Sequence, residues 1–289
     1  MAKTMTTIDI ILFCYKQEQY IEQALQSIYD QQVPDNCSVR IIVADDCSPD
    51  NTLALIEKHA AESPFPIMFL PKEPNMGISK NYKRSFAATT AEYVCILEGD
   101  DYWLPGHVMQ HIGFLNAHPE CSMVMSRIVA LQQEKGIMQD WGFPYKSEYY
   151  LVSLEKQIAD GNQLGNLSAC SFRGQLLHGL PMALFNIPIA DWMLGVMMAE
   201  FGRIALLRDC TSIYRTNANS QWASKTPMKQ LQILLRDARL YDAFHRYKYH
   251  RLWRQFKWKI FCEVRRNWMH YMPAWIQNTW HKIKSWIKN

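Results

Sequence analysis

Six consecutive apolar residues, 10–15, follow the Ile8-Asp9 pair near the start of the chain. An unbroken apolar run of this length predicts a strand covered on both faces, as in a parallel sheet. The period then changes: Tyr20, Ile21, Ala24, Leu25 and Ile28 recur at steps of three and four, an amphipathic helix that closes near residues 31–34. Residues 39–44 repeat the strand pattern and run into Asp45-Asp46-Cys47-Ser48-Pro49-Asp50, a cluster of turn formers and caps before a helix over about 51–61. A short strand at 67–70, a loop ending at Gly77, a helix over 79–88 and a strand over 91–97 complete the alternation. Strands alternating with helices predict an α/β fold, a mainly parallel sheet flanked by helices with ligands at the carboxyl ends of its strands. Asp45, Asp46, Asp100 and Asp101 all fall at such ends.

The second half is less regular. Residues 108–115 read as helix, 121–131 as strand, 135–150 as an irregular insert and 167–173 as a strand, and the segment from Ile189 leads into a helix ending near Gly202. The domain boundary is expected near residue 225, with 226–289 a helical extension.

Composition changes the picture mainly at the end of the chain. With 289 residues, 48% of them hydrophobic, the chain is long enough to bury a large core. Residues 243–289 carry eleven Lys/Arg against one acid, Glu263, leaving twenty basic and twenty-six acidic residues elsewhere: +10 for the tail, −6 for the body. Six of the ten tryptophans, at 253, 258, 268, 275, 280 and 286, interleave with these charges, and Pro273 predicts a break between two helices. A basic, aromatic helix suits the interface of an anionic membrane, so association with a membrane surface through 244–289 is expected, ahead of packing on the body or of nucleic-acid binding. No apolar stretch reaches the length of a membrane span and none reads as a signal peptide, so a cytoplasmic site, peripheral on the inner face of the membrane, is expected. The eight scattered cysteines show no metal-ligand spacing and are read as reduced thiols.

Two acidic clusters at equivalent strand ends suit a divalent cation bridging phosphate oxygens, because Mg²⁺ and Mn²⁺ prefer hard oxygen ligands. A P-loop, a dinucleotide fingerprint and a serine nucleophile elbow are all absent from the sequence. The clusters stand in a familiar order. Val43-Ala44-Asp45-Asp46-Cys47-Ser48-Pro49-Asp50, then Asn75-Met76-Gly77, then Leu97-Glu98-Gly99-Asp100-Asp101-Tyr102-Trp103, then Ile189-Ala190-Asp191-Trp192, then Tyr214-Arg215-Thr216-Asn217 together resemble glycosyltransferase family 2, inverting enzymes of the Rossmann-like GT-A fold. The resemblance covers about residues 7–222, with nucleotide-sugar binding within about 7–105 and the acceptor side within 106–225.

The resemblance implies an inverting transfer from a nucleotide-diphosphate sugar, UDP by preference, to a glycan or lipid-linked acceptor of a bacterial surface polysaccharide or lipopolysaccharide. It implies Asp45 or Asp46 at the base or ribose, Tyr15 packed on the base, Lys80 and Asn81 closing the other side, Arg215 at the diphosphate, and Mn²⁺ or Mg²⁺ at Asp100 and Asp101. Asp191 becomes the base that takes the acceptor proton; an Asp at this place also suits a helix N-cap, and both roles are compatible. The pattern is broken twice, by Glu98 where Asp is usual and by Asn217 where the family has His. These departures favour the alternative, a nucleotide-sugar or glycan-binding protein of the same fold without turnover. A nucleotidyltransferase is disfavoured because Phe13-Cys14-Tyr15-Lys16-Gln17 is not a basic, glycine-rich loop.

Overall fold

The structure, a computed structural model, describes residues 5–188, 191–216 and 225–266. In the first compact unit, residues up to 157 together with 162–216, the elements run β1 (Thr6–Cys14), α1 (Ile21–Tyr29), β2 (Cys37–Asp45), α2 (Thr52–His59), β3 (Ile67–Phe69), α3 (Ile78–Ala88), β4 (Tyr93–Glu98) and β5 (Tyr102–Trp103). They continue with α4 (His107–Ala117), β6 (Cys121–Gln132), β7 (Ile137–Asp140), β8 (Tyr149–Val152), α5 (Leu154–Ala159), β9 (Cys170–Arg173), α6 (Gly174–His178), α7 (Asp191–Phe201) and β10 (Arg203–Thr216).

The described strands form one sheet in the order β3-β2-β1-β4-β9-β6-β10-β5, with β7 on β6 and β8 on β10. β1 pairs in parallel with β2 and β4, Ile10 opposite Ile41 and Cys95, and this two-sided coverage is why its sequence is apolar throughout. The polar exception, Asp9, is neutralised in place: Arg40 Nε and Nη2 donate to it at 2.9 and 2.8 Å and the Thr90 N–H at 2.8 Å. β9 is antiparallel to both β4 and β6, so the sheet is mainly, not wholly, parallel.

Two readings of the sequence are revised. Residues 135–150 are irregular only in part: they hold β7 and the start of β8, antiparallel additions to β6 and β10, on either side of an irregular stretch over 141–148. Only the last four residues of the strand expected at 167–173 are extended; Leu167–Ala169 is a 3₁₀ turn. The turn lets Ser168 reach back under β4, where its Oγ accepts the Glu98 N–H at 3.0 Å.

The second unit comprises Ile158–Gly161 and the chain beyond Thr216. Its described helices are α8 (Pro227–Phe244) and α9 (His250–Arg266). Thr226 caps α8, its side chain accepting the Lys229 N–H at 3.3 Å, with Pro227 at the first turn. Tyr241 packs on Trp253 at 5.9 Å between ring centroids, and Asp242 meets His250 at 2.7 Å and Lys257 at 3.8 Å. Residues 267–289, with Pro273 and four of the tail tryptophans, lie outside the described residues.

Under the sheet, α4 buries His107 and His111 completely. Their Nδ1 atoms meet Thr211 Oγ1 and Ser171 Oγ, each at 2.8 Å, and Trp103 stacks on His107 at 4.2 Å. Desolvation holds both rings neutral, His107 further lowered by His111, and pushes His111 down to about 3. Both folded values lie below the unfolded one, so stability is complete above about pH 6.5 and falls below it by about 1.4 kcal/mol per pH unit for each ring. The test is urea unfolding of wild type and His111→Asn at pH 7 and 5. The acid-induced loss is expected to be smaller by about 2 kcal/mol in the variant, a difference that cancels the acidic groups common to both; equal losses would refute it.

Candidate active site

The carboxyl ends of β1, β2 and β4 open onto one edge of the sheet. Beyond β1 and β2, Lys16 and Cys47 hold left-handed backbone, φ 58° and 59°, a conformation that non-glycine residues adopt rarely and that concentrates at functional sites. The Lys16 N–H donates to Ser48 Oγ at 3.1 Å, and Ser48 in turn donates to the Asp45 carboxylate through both its N–H and its hydroxyl. Asp45 is half-buried and Tyr15 is 40% exposed, with Lys16 Nζ 5.2 Å from its ring centroid. Lys80 is exposed on α3.

Asp46 and Asn81 are placed differently. Both oxygens of buried Asp46 accept backbone N–H groups, from Met76 and Gly77 at 2.9 Å each, while Asn75 Nδ2 donates to the Asp46 carbonyl. Asn81 Nδ2 donates to the Ala44 carbonyl at 2.9 Å and its Oδ1 accepts from Arg84 Nε at 2.8 Å. These two residues are buried and tie the loops together, whereas Tyr15, Asp45 and Lys80 present surface to solvent.

After β4 the chain turns so sharply at Gly99 that a Cβ there would stand 2.6 Å from Gln17 Oε1 and 2.8 Å from Ile21 Cδ1. This close approach brings Gln17 Nε2 to Asp100 Oδ1 at 3.0 Å. Asp100 keeps its second carboxylate oxygen for the cleft and is partly exposed. Asp101 is fully buried: Oδ1 accepts the Arg215 N–H at 2.8 Å, and Oδ2 accepts from Ser168 Oγ at 2.6 Å and Asn166 Nδ2 at 2.9 Å. The adjacent carboxylates thus face opposite ways, Asp100 outward and Asp101 inward.

Arg215 is 3% exposed, so it lies beneath the cleft and not along its wall. Its guanidinium donates to the Asp100 carbonyl, to Gln133 Oε1 and to Gln23 Oε1, and lies 4.5 Å from the Tyr20 centroid and 5.3 Å from that of Tyr102. Through the first of these bonds it fixes the backbone that carries Asp100. Asn217 lies outside the described residues.

Burial raises the Asp100 carboxyl; burial and the Asp100 charge push Asp101 up to about 7; burial, Asp101, Asp100 and Asp191 raise Glu98 well above the carboxylate range. Crowded carboxylates of this kind are relieved by a cation. Among the described residues no three acidic or imidazole groups converge as a complete metal cage. A Mg²⁺ or Mn²⁺ site built from one or two carboxylates plus substrate phosphates needs none, and Asp100 and Glu98 are both partly exposed.

Asp191 opens α7 and is half-buried, with Asn162 Nδ2 donating to its Oδ2 at 3.4 Å. Burial raises its carboxyl above the ordinary value. Burial chiefly pushes the Tyr82 hydroxyl and the Cys170 thiol well up, and the charges of Glu98 and Asp191 add to both. The cluster therefore holds the partly exposed Asp100 and Glu98 and, separately, the raised carboxylate of Asp191, groups of the kind that serve cation binding and proton transfer.

Gln17, Asn162, Asn166 and Ser168 were not picked out from the sequence. The signal was there for three of them: in Asn162-Gln163-Leu164-Gly165-Asn166-Leu167-Ser168 polar residues alternate with leucines that the structure buries, a loop with an inside.

Residues 9–174 match the family model described as glycosyl transferase family 2. An uncharacterised protein of Mycobacterium tuberculosis is 30% identical over 220 residues, 75% of this chain and 61% of that protein, so the chain spans about three fifths of the relative's length. The dTDP-rhamnosyl transferase RfbG of Shigella flexneri is 32% identical over 105 residues, 35% of each chain. Among solved structures, Staphylococcus aureus TarS in complex with UDP-GlcNAc superposes with a TM-score of 0.57 at 19% identity, covering 81% of this chain and 66% of that one. The mannosyltransferase PcManGT of Pyrobaculum calidifontis, in complex with GDP-Man and Mn²⁺, superposes with a TM-score of 0.56 at 17% identity, covering 79% and 61%.

Proposed function

The chain belongs to glycosyltransferase family 2, with the GT-A fold of its structural neighbours, and from that premise we propose that it transfers one sugar, with inversion, from a nucleotide-diphosphate sugar to a hydroxyl of a surface-glycan or lipid-linked acceptor. The observation that carries the reading is the family match over residues 9–174, with partly exposed Glu98 and Asp100 at the end of β4 and half-buried Asp191 at the start of α7. The sugar–nucleotide donor class is supported by the UDP-GlcNAc and GDP-Man complexes of the two neighbours and by the relative named as a dTDP-rhamnosyl transferase.

Tyr15 and Asp45 hold the nucleotide, Asp45 accepting from base or ribose. Asp191 takes the proton of the acceptor hydroxyl as that oxygen bonds to the anomeric carbon, and the bond from that carbon to the diphosphate oxygen breaks, its electron pair leaving with the nucleotide. A Mn²⁺ or Mg²⁺ ion at Asp100 and Glu98 supplies charge stabilisation to the departing diphosphate. Arg215 and Gln17 keep Asp100 in place, and Asn162 orients Asp191.

Incubation with UDP-GlcNAc, UDP-glucose, UDP-galactose, GDP-mannose and dTDP-rhamnose plus Mn²⁺ is expected to release nucleotide diphosphate from at least one donor. Chelation should lower that rate by about 10²-fold or more. A donor that binds yet turns over with no acceptor, water included, would support the binding-protein alternative.

Membrane-surface association belongs to the same proposal. No described helix is long and apolar enough to cross a membrane. On α9, Trp258 and Phe261 are 64% and 54% exposed and stacked at 5.3 Å, among exposed Arg254, Lys259 and Arg265. The full chain is expected to sediment with phosphatidylcholine vesicles containing phosphatidylglycerol, and much less with phosphatidylcholine alone. Equal sedimentation with both would remove the electrostatic part of the argument.

A further inference from the structure

Trp141 is half exposed, yet its surroundings hold it in place. It follows directly on β7, and its N–H extends the ladder by donating to the Ile128 carbonyl at 3.2 Å. The preceding residue, Asp140, is ion-paired to Arg127 and accepts the Gly142 N–H at 2.7 Å, so backbone on both sides of the tryptophan is tied down. The ring of Tyr214 meets the indole edge-on, centroids 5.8 Å apart and planes at 72°. Beneath it lies Gly165, with φ 73°; a Cβ there would stand 3.1 Å from Trp141 Cζ3 and 2.7 Å from Ile128 Cδ1. The indole therefore rests on bare backbone, while half of its surface is open.

Its place in the sheet says which substrate it meets. Tyr15 and Asp45 leave β1 and β2, on one side of β4; β6, β7 and β10, which hold Trp141, lie on the other side. The segment under the indole joins it to the chemistry. Gly165 is followed by Asn166, which donates to Asp101 and Glu98, and preceded by Asn162, which donates to Asp191. Three residue steps separate Asn162 from Gly165, a backbone span of at most about 10 Å, so the indole stands within a short glycan's length of Asp191. A rigid aromatic face on the acceptor side is chemically matched to the C–H face of a sugar ring, which buries apolar surface on it at small entropic cost.

We propose that Trp141 is the stacking platform for a pyranose ring of the acceptor, which makes it an acceptor-binding residue. The inference rests on the transferase reading above. It is tested on the full chain carrying ¹⁵N-labelled indoles, with the Trp141 signal identified by its loss in Trp141→Phe. UDP binding with Mn²⁺ is measured by calorimetry on the same sample, and the UDP complex is then titrated with the methyl glycosides of glucose, galactose, mannose, N-acetylglucosamine and rhamnose.

At least one glycoside is expected to move the Trp141 signal saturably. With that sugar as acceptor, Trp141→Ala should raise the acceptor KM by about 10–100-fold, the value of one buried aromatic face. Its donor KM and donor hydrolysis should be unchanged, and Trp141→Phe should restore most of the loss. If UDP binds and no glycoside moves the signal, or if Trp141→Ala keeps the wild-type acceptor KM, the platform is wrong and the transferase reading stands. If neither UDP nor, titrated in the same way, GDP or dTDP binds, the transferase reading falls and takes the platform with it.

Discussion

Asp191→Asn is expected to lower kcat by about 10²–10⁴, the range associated with a positioned general base, while leaving donor binding and the urea midpoint close to wild type. The substitution is chosen because Asn caps a helix about as well as Asp and still offers an oxygen to Asn162. Any structural contribution at the start of α7 survives, and only the capacity to take a proton is lost. The wild-type rate carries a second signature. Burial raises the Asp191 carboxyl, so the acid limb of kcat against pH should lie above the ordinary carboxylate value, with activity rising as the group deprotonates. Asn162 favours the charged form through its hydrogen bond. Asn162→Ala should therefore move that limb to still higher pH without abolishing turnover at alkaline pH. A fully active Asp191→Asn would place the base elsewhere in the cleft.

The parts of this fold that announce themselves in the sequence share a physical reason. β1, β2 and β4 are covered on both faces, so burial writes them as continuous apolar runs, and α1 and α3 show the three- and four-residue period of one buried face. β7 is invisible for the converse reason: all four of its residues are exposed, so burial imposes no pattern on them and only pairing with β6 makes them a strand. The acidic positions were legible as a set and not as individuals. Asp45 and Asp46, or Asp100 and Asp101, are identical neighbours in the chain, yet one member of each pair looks into the cleft and the other into the protein. What separates them is a set of donors from far along the sequence: Met76 and Gly77 for Asp46; Asn166, Ser168 and Arg215 for Asp101. Arg215 is the same case with the sign reversed. A guanidinium near a diphosphate site suggests a phosphate clamp, and only the packing of Tyr20, Gln23, Tyr102 and Gln133 around it shows that three of its five N–H groups are engaged within the protein.

One substitution made at two adjacent positions should therefore give two different phenotypes. Asp100→Asn keeps the size of the side chain and an acceptor for Gln17, but it removes a charge that faces the cleft. Turnover is expected to fall by about 10²–10³, with a higher Mn²⁺ concentration needed for half-maximal rate and a nearly unchanged urea midpoint. Asp101→Asn acts on the interior. Two effects of opposite sign compete there. Losing the charge relieves repulsion from Asp100, which is part of what pushes Asp101 up to about 7. Against this, three donors converge on the Asp101 oxygens, and an amide satisfies only one side, turning its own NH₂ against the donors on the other. Unsatisfied buried groups cost about 1–3 kcal/mol each, and at least two are created, whereas the repulsion is already eased in the wild type by partial protonation. The hydrogen-bond loss should win, giving a net destabilisation on the order of 2–4 kcal/mol and a lower urea midpoint, with activity falling as a consequence of altered structure. The sequence alone expected a metal ligand at both positions; if Asp101→Asn instead kept its stability and lost its Mn²⁺ dependence, the inward carboxylate would be the ligand and Asp100 its support.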